Sequence, residues 1–250
     1  MHLYRTFVGD ICCEIGLPRT APHAIIVLCP GLPGTPKEQA LCLRLVDSGY
    51  AVIYPRHSGT YESNGKFLSV SPADDIILTI QHLMGESFTE LYNSTVLAVP
   101  VAPIILLGNS FGALVAGNAL RAIGDGAILL CPVTDWNTQG TRSTEPKPKE
   151  IVAFVQRAYP NVYRTTQWNQ IGKLLEAIPL QSTKPITMLF AKKDTGIDLS
   201  RATHYKQGNA TVRLIPGKHQ SFEKLKYSLL IENIETLLAQ IKLYVPNQKI

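Results

Sequence analysis

A serine hydroxyl attacks a carbonyl only if the backbone holds it in the open beside groups that can stabilise charge. One stretch of this 250-residue chain could do so. An apolar run at residues 104–107 leads directly into Gly108-Asn109-Ser110-Phe111-Gly112, and a helical apolar pattern follows through Phe111, Leu114, Val115, Leu120 and Ile123. The order is strand, sharp turn, helix. Side chains at 108 and 112 would crowd the neighbouring strand and helix, which accounts for the two glycines. Ser110 would then stand at the tip of the turn, beside the free N–H groups and positive end of the helix.

The remaining elements have to carry this turn. Residues 2–17 alternate apolar and polar positions around Gly9-Asp10 and read as a β-hairpin. The unbroken apolar run at 24–29 reads as a strand buried on both faces, as in parallel sheets, and 51–55, 126–133, 185–190 and 211–215 read as further strands. Helical patterns lie between them. One follows Thr35 as cap, Pro36 in the first turn and Glu38 completing a capping box, and stops at Ser48-Gly49. Another opens at Ser71-Pro72 and runs to Gly85, and a last one buries Leu225, Leu229, Ile234, Leu237, Leu238 and Ile241. Alternation of this kind predicts an α/β fold with a doubly wound, mostly parallel sheet and an N-terminal β-hairpin, in one domain over residues 1–250. Residues 134–183 are far more than a crossover requires. Within them 141–150 is polar and Pro/Lys-rich, like a flexible connection, and 150–178 reads as helix in two pieces divided at Pro160.

Composition narrows the function classes. Hydrophobic residues make up 45% and charged residues 17%, a globular balance. The net charge of +5 comes from scattered lysines and arginines without a long basic run, so no nucleic-acid partner is expected. No apolar run reaches the ~18 residues of a membrane span, so no membrane partner is expected either. Cys12, Cys13, Cys29, Cys42 and Cys131 form an odd set without Cys-x-x-Cys spacing, mostly in apolar runs. They read as buried thiols in a reducing compartment, giving the expectation of a cytoplasmic protein without disulfides or a metal site.

Gly-x-Ser-x-Gly between a buried strand and a helix resembles the nucleophile turn of the α/β-hydrolase superfamily, and the likeness continues in order and spacing from residue 23 onwards. It implies a triad in the chain order Ser, Asp, His. Strand 185–190 runs into Lys192-Lys193-Asp194, and strand 211–215 into Pro216-Gly217-Lys218-His219. The resemblance therefore makes Ser110 the nucleophile, His219 the base and Asp194 the acid, with Asp198 the alternative acid or a helix cap. Pro30-Gly31-Leu32-Pro33-Gly34 resembles the oxyanion loop, with Pro30 where histidine is usual. Leu32 and Phe111 are the expected backbone N–H donors, since prolines 30 and 33 have none.

Residues 56–65 resemble the Arg-Gly-x-Gly-x-Ser loop of many hydrolases, with Tyr61 replacing the second glycine, and would form a wall of the cleft. His57 within it reads as a solvated or hydrogen-bonded loop histidine. The insertion at about 134–183 resembles a small helical cap. Tyr61, Asp135, Trp136 and Trp168 are candidate substrate contacts, and Phe154, Tyr159 and Tyr163 could also line a pocket. The expected activity is hydrolysis of a carboxylic ester or thioester through an acyl-serine, with no metal or organic cofactor and a small-molecule or peptide acyl substrate. Pro132-Val133-Thr134-Asp135-Trp136 resembles prolyl-oligopeptidase-type enzymes, which makes peptide cleavage an alternative. A binding protein that keeps the fold without turnover is the alternative from another class.

Overall fold

Alternate side chains of each central strand enter different cores, the direct consequence of period-2 geometry in strands covered on both faces. Ile25, Val27, Leu106, Leu129, Met188 and Phe190 belong to one buried cluster, whereas Ile26, Leu28, Leu107, Ile128, Leu130 and Leu189 belong to the other. These assignments come from a computed structural model that describes residues 3–34, 38–142 and 145–244.

In chain order the elements are β1 (Leu3–Val8), β2 (Ile11–Gly16), β3 (Ile25–Cys29), α1 (Gln39–Asp47), β4 (Ala51–Pro55), α2 (Pro72–Gly85), β5 (Phe88–Thr89), β6 (Val96–Leu97), β7 (Ile104–Asn109), α3 (Phe111–Ala119), β8 (Gly126–Leu130), α4 (Pro148–Ala158), a 3-10 turn (Trp168–Gln170), α5 (Ile171–Leu174), β9 (Ile186–Ala191), α6 (Ser200–Tyr205), β10 (Thr211–Ile215), a second 3-10 turn (Phe222–Lys224) and α7 (Tyr227–Tyr244). Eight strands form one sheet in the order β1-β2-β4-β3-β7-β8-β9-β10. The β1/β2 and β2/β4 pairs are antiparallel, and all others parallel. α2 and α3 pack into the first cluster, while α1 and α7 pack into the second. This is the doubly wound sheet with its N-terminal hairpin.

The parallel strands place their carboxyl ends on one rim, where β7 delivers Ser110, β9 leads to Asp194 and β10 leads to His219. Local signals set several boundaries. Ser71 Oγ accepts the Ala73 N–H and Pro72 opens α2, as expected from the sequence. α1 begins at Gln39, with Glu38 at its boundary. Thr35 and Pro36 lie outside the described residues. The pattern after Ser110 overshoots, since α3 ends at Ala119 and Ile123 joins only a following turn. β8 stops at Leu130, not 133, because Cys131 takes φ +46° and turns the chain out of the sheet.

Two expectations about the insertion need correction. The second helical piece covers only 168–174; beyond it the chain extends and Ile178 N–H donates to Thr134 O at 2.9 Å. The polar stretch after Thr141 is anchored, because Glu145 is buried and pairs with buried Arg201 of α6. The Arg201 Nη2 bond to Glu145 Oε2 is 2.7 Å, and the same carboxylate accepts the Asp198 and Gly140 N–H groups. Burial alone would raise the Glu145 pKa, but the Arg201 bond and these N–H groups hold it below the usual carboxylate range. A polar composition concealed this anchor, because its partner lies on another element. Glu145→Ala leaves a buried guanidinium without its carboxylate, and urea unfolding should show a loss of about 3–5 kcal/mol.

Candidate active site

Packing forces the turn at Ser110. A Cβ on Gly108 would lie 2.4 Å from Gly112 O, and one on Gly112 would lie 2.1 Å from Cys29 O and 2.6 Å from Pro30 O. With both glycines in place, β7 meets α3 at such close range that Ser110 adopts φ +54° and ψ −119°, a region that non-glycine residues rarely occupy. Its N–H donates to Leu130 O at 2.9 Å and its carbonyl accepts the Val133 N–H at 3.1 Å, so the strained residue is held by the end of β8 and by the segment just beyond it.

The Pro30–Gly34 loop abuts the first turn of α3, as the Gly112 contacts require. A Cβ on Gly31 would lie 3.3 Å from Asn109 O. Among the described residues, neither the Leu32 N–H nor the Phe111 N–H donates to a protein acceptor. Neither N–H is therefore spent on another described group, and that of Phe111 directly follows Ser110 in the chain.

Asp194 and His219 come together. His219 Nδ1 lies 2.9 Å and 3.0 Å from the two Asp194 carboxylate oxygens, and Oδ1 also accepts the Gly196 and Ile197 N–H groups at 2.7 Å and 3.0 Å. The Asp194 side chain is only 1% exposed, whereas that of His219 is 33% exposed. Asp198 is not at this site; its Oδ1 accepts the Ser200 N–H at the start of α6. The His219 loop is fastened to the serine turn through Asn109 Nδ2, which donates to Gln220 O at 2.8 Å. Among the described residues no hydrogen bond joins Ser110 Oγ to the His219 ring. Such contacts commonly tighten only with substrate present.

Cys131 is the member that sequence reasoning missed. It sits one residue past β8 on the same rim, and its Sγ, an Asp194 oxygen and a His219 ring nitrogen lie within 4.8 Å of one another, close enough to hold an ion. The S–H also supports the Asp194 carboxylate. Burial pushes the Cys131 thiol up to about 12, so it acts as a donor rather than a thiolate ligand. Its place one residue beyond a strand next to β7 was the available signal.

The other candidates scatter. Trp136 is buried edge-on against Phe111, with ring centroids 5.7 Å apart, and Asp135 accepts the Asn137 N–H in a local turn. Trp168 stacks at an angle on Phe67 and Tyr163, and Phe154 points to solvent. Tyr163 Oη accepts the Gly34 N–H at 2.9 Å, tying the insertion to the Pro30–Gly34 loop. Backbone bonds from Tyr61 N–H to Val162 O and from Phe67 N–H to Arg164 O fasten it to the 56–67 loop. His57, expected to be solvated or hydrogen-bonded, is instead buried with neither ring nitrogen bonded.

A family model described as serine aminopeptidase, S33, matches residues 20–228. The chain belongs to this family. It is thus an α/β hydrolase, and solved structures with the same fold cover nearly its whole length. The alpha/beta hydrolase GrgF from Penicillium sp. sh18 is 12% identical with TM-score 0.68, covering 96% of this chain and 97% of its own. An alpha-beta serine hydrolase homologue from Coxiella burnetii is 15% identical with TM-score 0.56, covering 96% and 95%. Esterase B from Lactobacillus Rhamnosis is 14% identical with TM-score 0.60, covering 99% and 89%. No curated protein sequence matches.

In this α/β hydrolase the Asp194 carboxyl is held below the usual range. Burial opposes that shift, but the hydrogen bond and charge of His219, with the Gly196 N–H, outweigh it. A depressed folded-state pKa contributes stability above the unfolded carboxylate's pKa, and this is lost as pH falls through the depressed value. Asp194→Asn should therefore melt at lower temperature than the parent at neutral pH, and the gap should close on acidification.

Proposed function

We propose that the protein hydrolyses carboxylic esters or thioesters by acyl transfer to Ser110. The observation that carries this reading is the His219 Nδ1 contact with Asp194, 2.9 Å long, on the rim where the strained Ser110 turn ends. An ionised carboxylate can only accept, so Nδ1 carries the imidazole proton and Nε2 is left as the base. His219 takes the Ser110 proton as Oγ bonds to the acyl carbon, then gives it to the departing alkoxide or thiolate as that bond breaks. Water repeats the sequence on the acyl-serine, releasing the acid and restoring the hydroxyl. The Leu32 and Phe111 N–H groups would hold the oxyanion, and losing one such donor would cost roughly 100- to 1000-fold in rate.

The family description favours a second reading, in which the same steps cleave a peptide bond and the leaving group is an amine. Phe111 and Trp136, packed edge-on, would then support the wall beside Ser110. All five cysteines are free and buried, which fits a reducing, cytoplasmic setting. No helix among the described residues is long and apolar enough to cross a membrane.

A fluorophosphonate probe separates both enzymatic readings from a non-catalytic protein. The native chain should be labelled, Ser110→Ala should not, and His219→Ala should lower turnover of a p-nitrophenyl ester by roughly 1000-fold or more. Absence of labelling in the folded native protein contradicts the proposal. Faster cleavage of aminoacyl or prolyl amides than of esters selects the peptidase reading.

A further inference from the structure

A narrow cleft opens between the Pro30–Gly34 loop, the 56–61 segment and the insertion, walled by Pro30, Gly31, Arg56, His57, Tyr61 and Tyr163. A Cβ added to its Gly31 wall would lie 3.3 Å from the carbonyl oxygen of Asn109, the residue before Ser110. Only about 10 Å³ is open to the centre of a water molecule, room for one oxygen-sized group.

Three of the residues around it carry uncompensated buried polar atoms. His57 is 3% exposed, and both ring nitrogens are buried without a hydrogen-bond partner. Tyr61 Oη is likewise buried and unpartnered, and burial raises this phenol to about 12, so it keeps its proton at neutral pH. Arg56 spends its Nη atoms on Glu14 and Glu62, at 2.8 Å and 2.6 Å, while Nε has no partner. Buried donors left in this state are costly unless something accepts from them. Arg56 Nε and Tyr61 Oη donate, and a neutral imidazole donates from one nitrogen. Glu14 Oε2, also unpartnered, belongs to a residue that does not line the cleft.

Charge settles the type of acceptor. Glu14 and Glu62 balance Arg56 and nearby Arg5, and Asp75 Oδ2 lies 3.6 Å from His57 Nδ1. Among the residues that wall the cleft, Arg56 carries its cation and already faces two carboxylates, so a neutral carbonyl suits the cleft better.

We infer that the cleft between the Pro30–Gly34 loop and Tyr61 is a specificity subsite that holds a second carbonyl oxygen on the acyl part of the substrate, through His57 and Tyr61. The inference rests on the acyl-transfer reading, because the same loop faces the carbonyl that Ser110 would attack. It accounts for the stitching of the insertion onto this loop through Tyr163, which encloses the cleft.

Two measurements test it. With p-nitrophenyl 4-oxopentanoate and p-nitrophenyl pentanoate, kcat/KM should favour the keto ester by about tenfold or more, and Tyr61→Phe should bring the ratio towards one. With Ser110→Ala, ligand-observed NMR titration of 4-oxopentanamide and pentanamide should show the same preference and the same dependence on Tyr61, whether or not the native protein turns over esters. Equal binding of the two amides overturns the subsite. If fluorophosphonate still labels Ser110 in that case, only the subsite fails. A preference that survives Tyr61→Phe and His57→Gln also overturns it, because the carbonyl would then be held elsewhere.

Discussion

The approach of β7 and α3 within a glycine's width of each other, and of α3 to the carbonyls of Cys29 and Pro30, is the constraint on which the site depends. No side chain fits at 108 or 112, and the chain can turn between them only by placing Ser110 in a conformation that costs of order 1–3 kcal/mol. Burial on both faces of the sheet offsets that cost, and the Leu130 and Val133 backbone groups hold the strained residue.

Once the serine is fixed, the partners follow from strand direction. Six neighbouring parallel strands end on the same rim, so loops far apart in sequence converge without any long-range signal. The bond from Asn109 to Gln220 and the group formed by Cys131, Asp194 and His219 show how tightly they converge. Ser110 and Cys131, just past the ends of adjacent strands, both have positive φ, so each chain leaves the sheet abruptly at the site. Asp194 collects two backbone N–H groups, the imidazole and the thiol, which keeps a nearly buried carboxylate ionised.

The sheet was legible because apolar runs such as 24–29 and 104–107 carry their own signal, and the cap at Ser71-Pro72 marked α2 to the residue. The meeting of Asp194 with His219 could be anticipated from chain order once Ser110 had fixed the rim. Features made by distant partners were not legible. Glu145 looked like part of a loose polar stretch until Arg201 was placed beside it, and His57 looked like a loop histidine until the insertion covered its loop. The β5–β6 hairpin, two residues a side, is too short to show a period. Trp136 and Trp168 illustrate the same limit in another way, since an aromatic residue near a rim can pack inward as readily as it can face a ligand.

The most direct test of an acyl-serine route is rapid quenching of the protein after mixing with p-nitrophenyl acetate, followed by intact-mass measurement and peptide mapping. The account predicts a burst of nitrophenol, a mass gain of one acetyl group, and that group on the peptide containing Ser110. Turnover without a burst, or an acetyl group that maps to another residue and persists in Ser110→Ala, would contradict it.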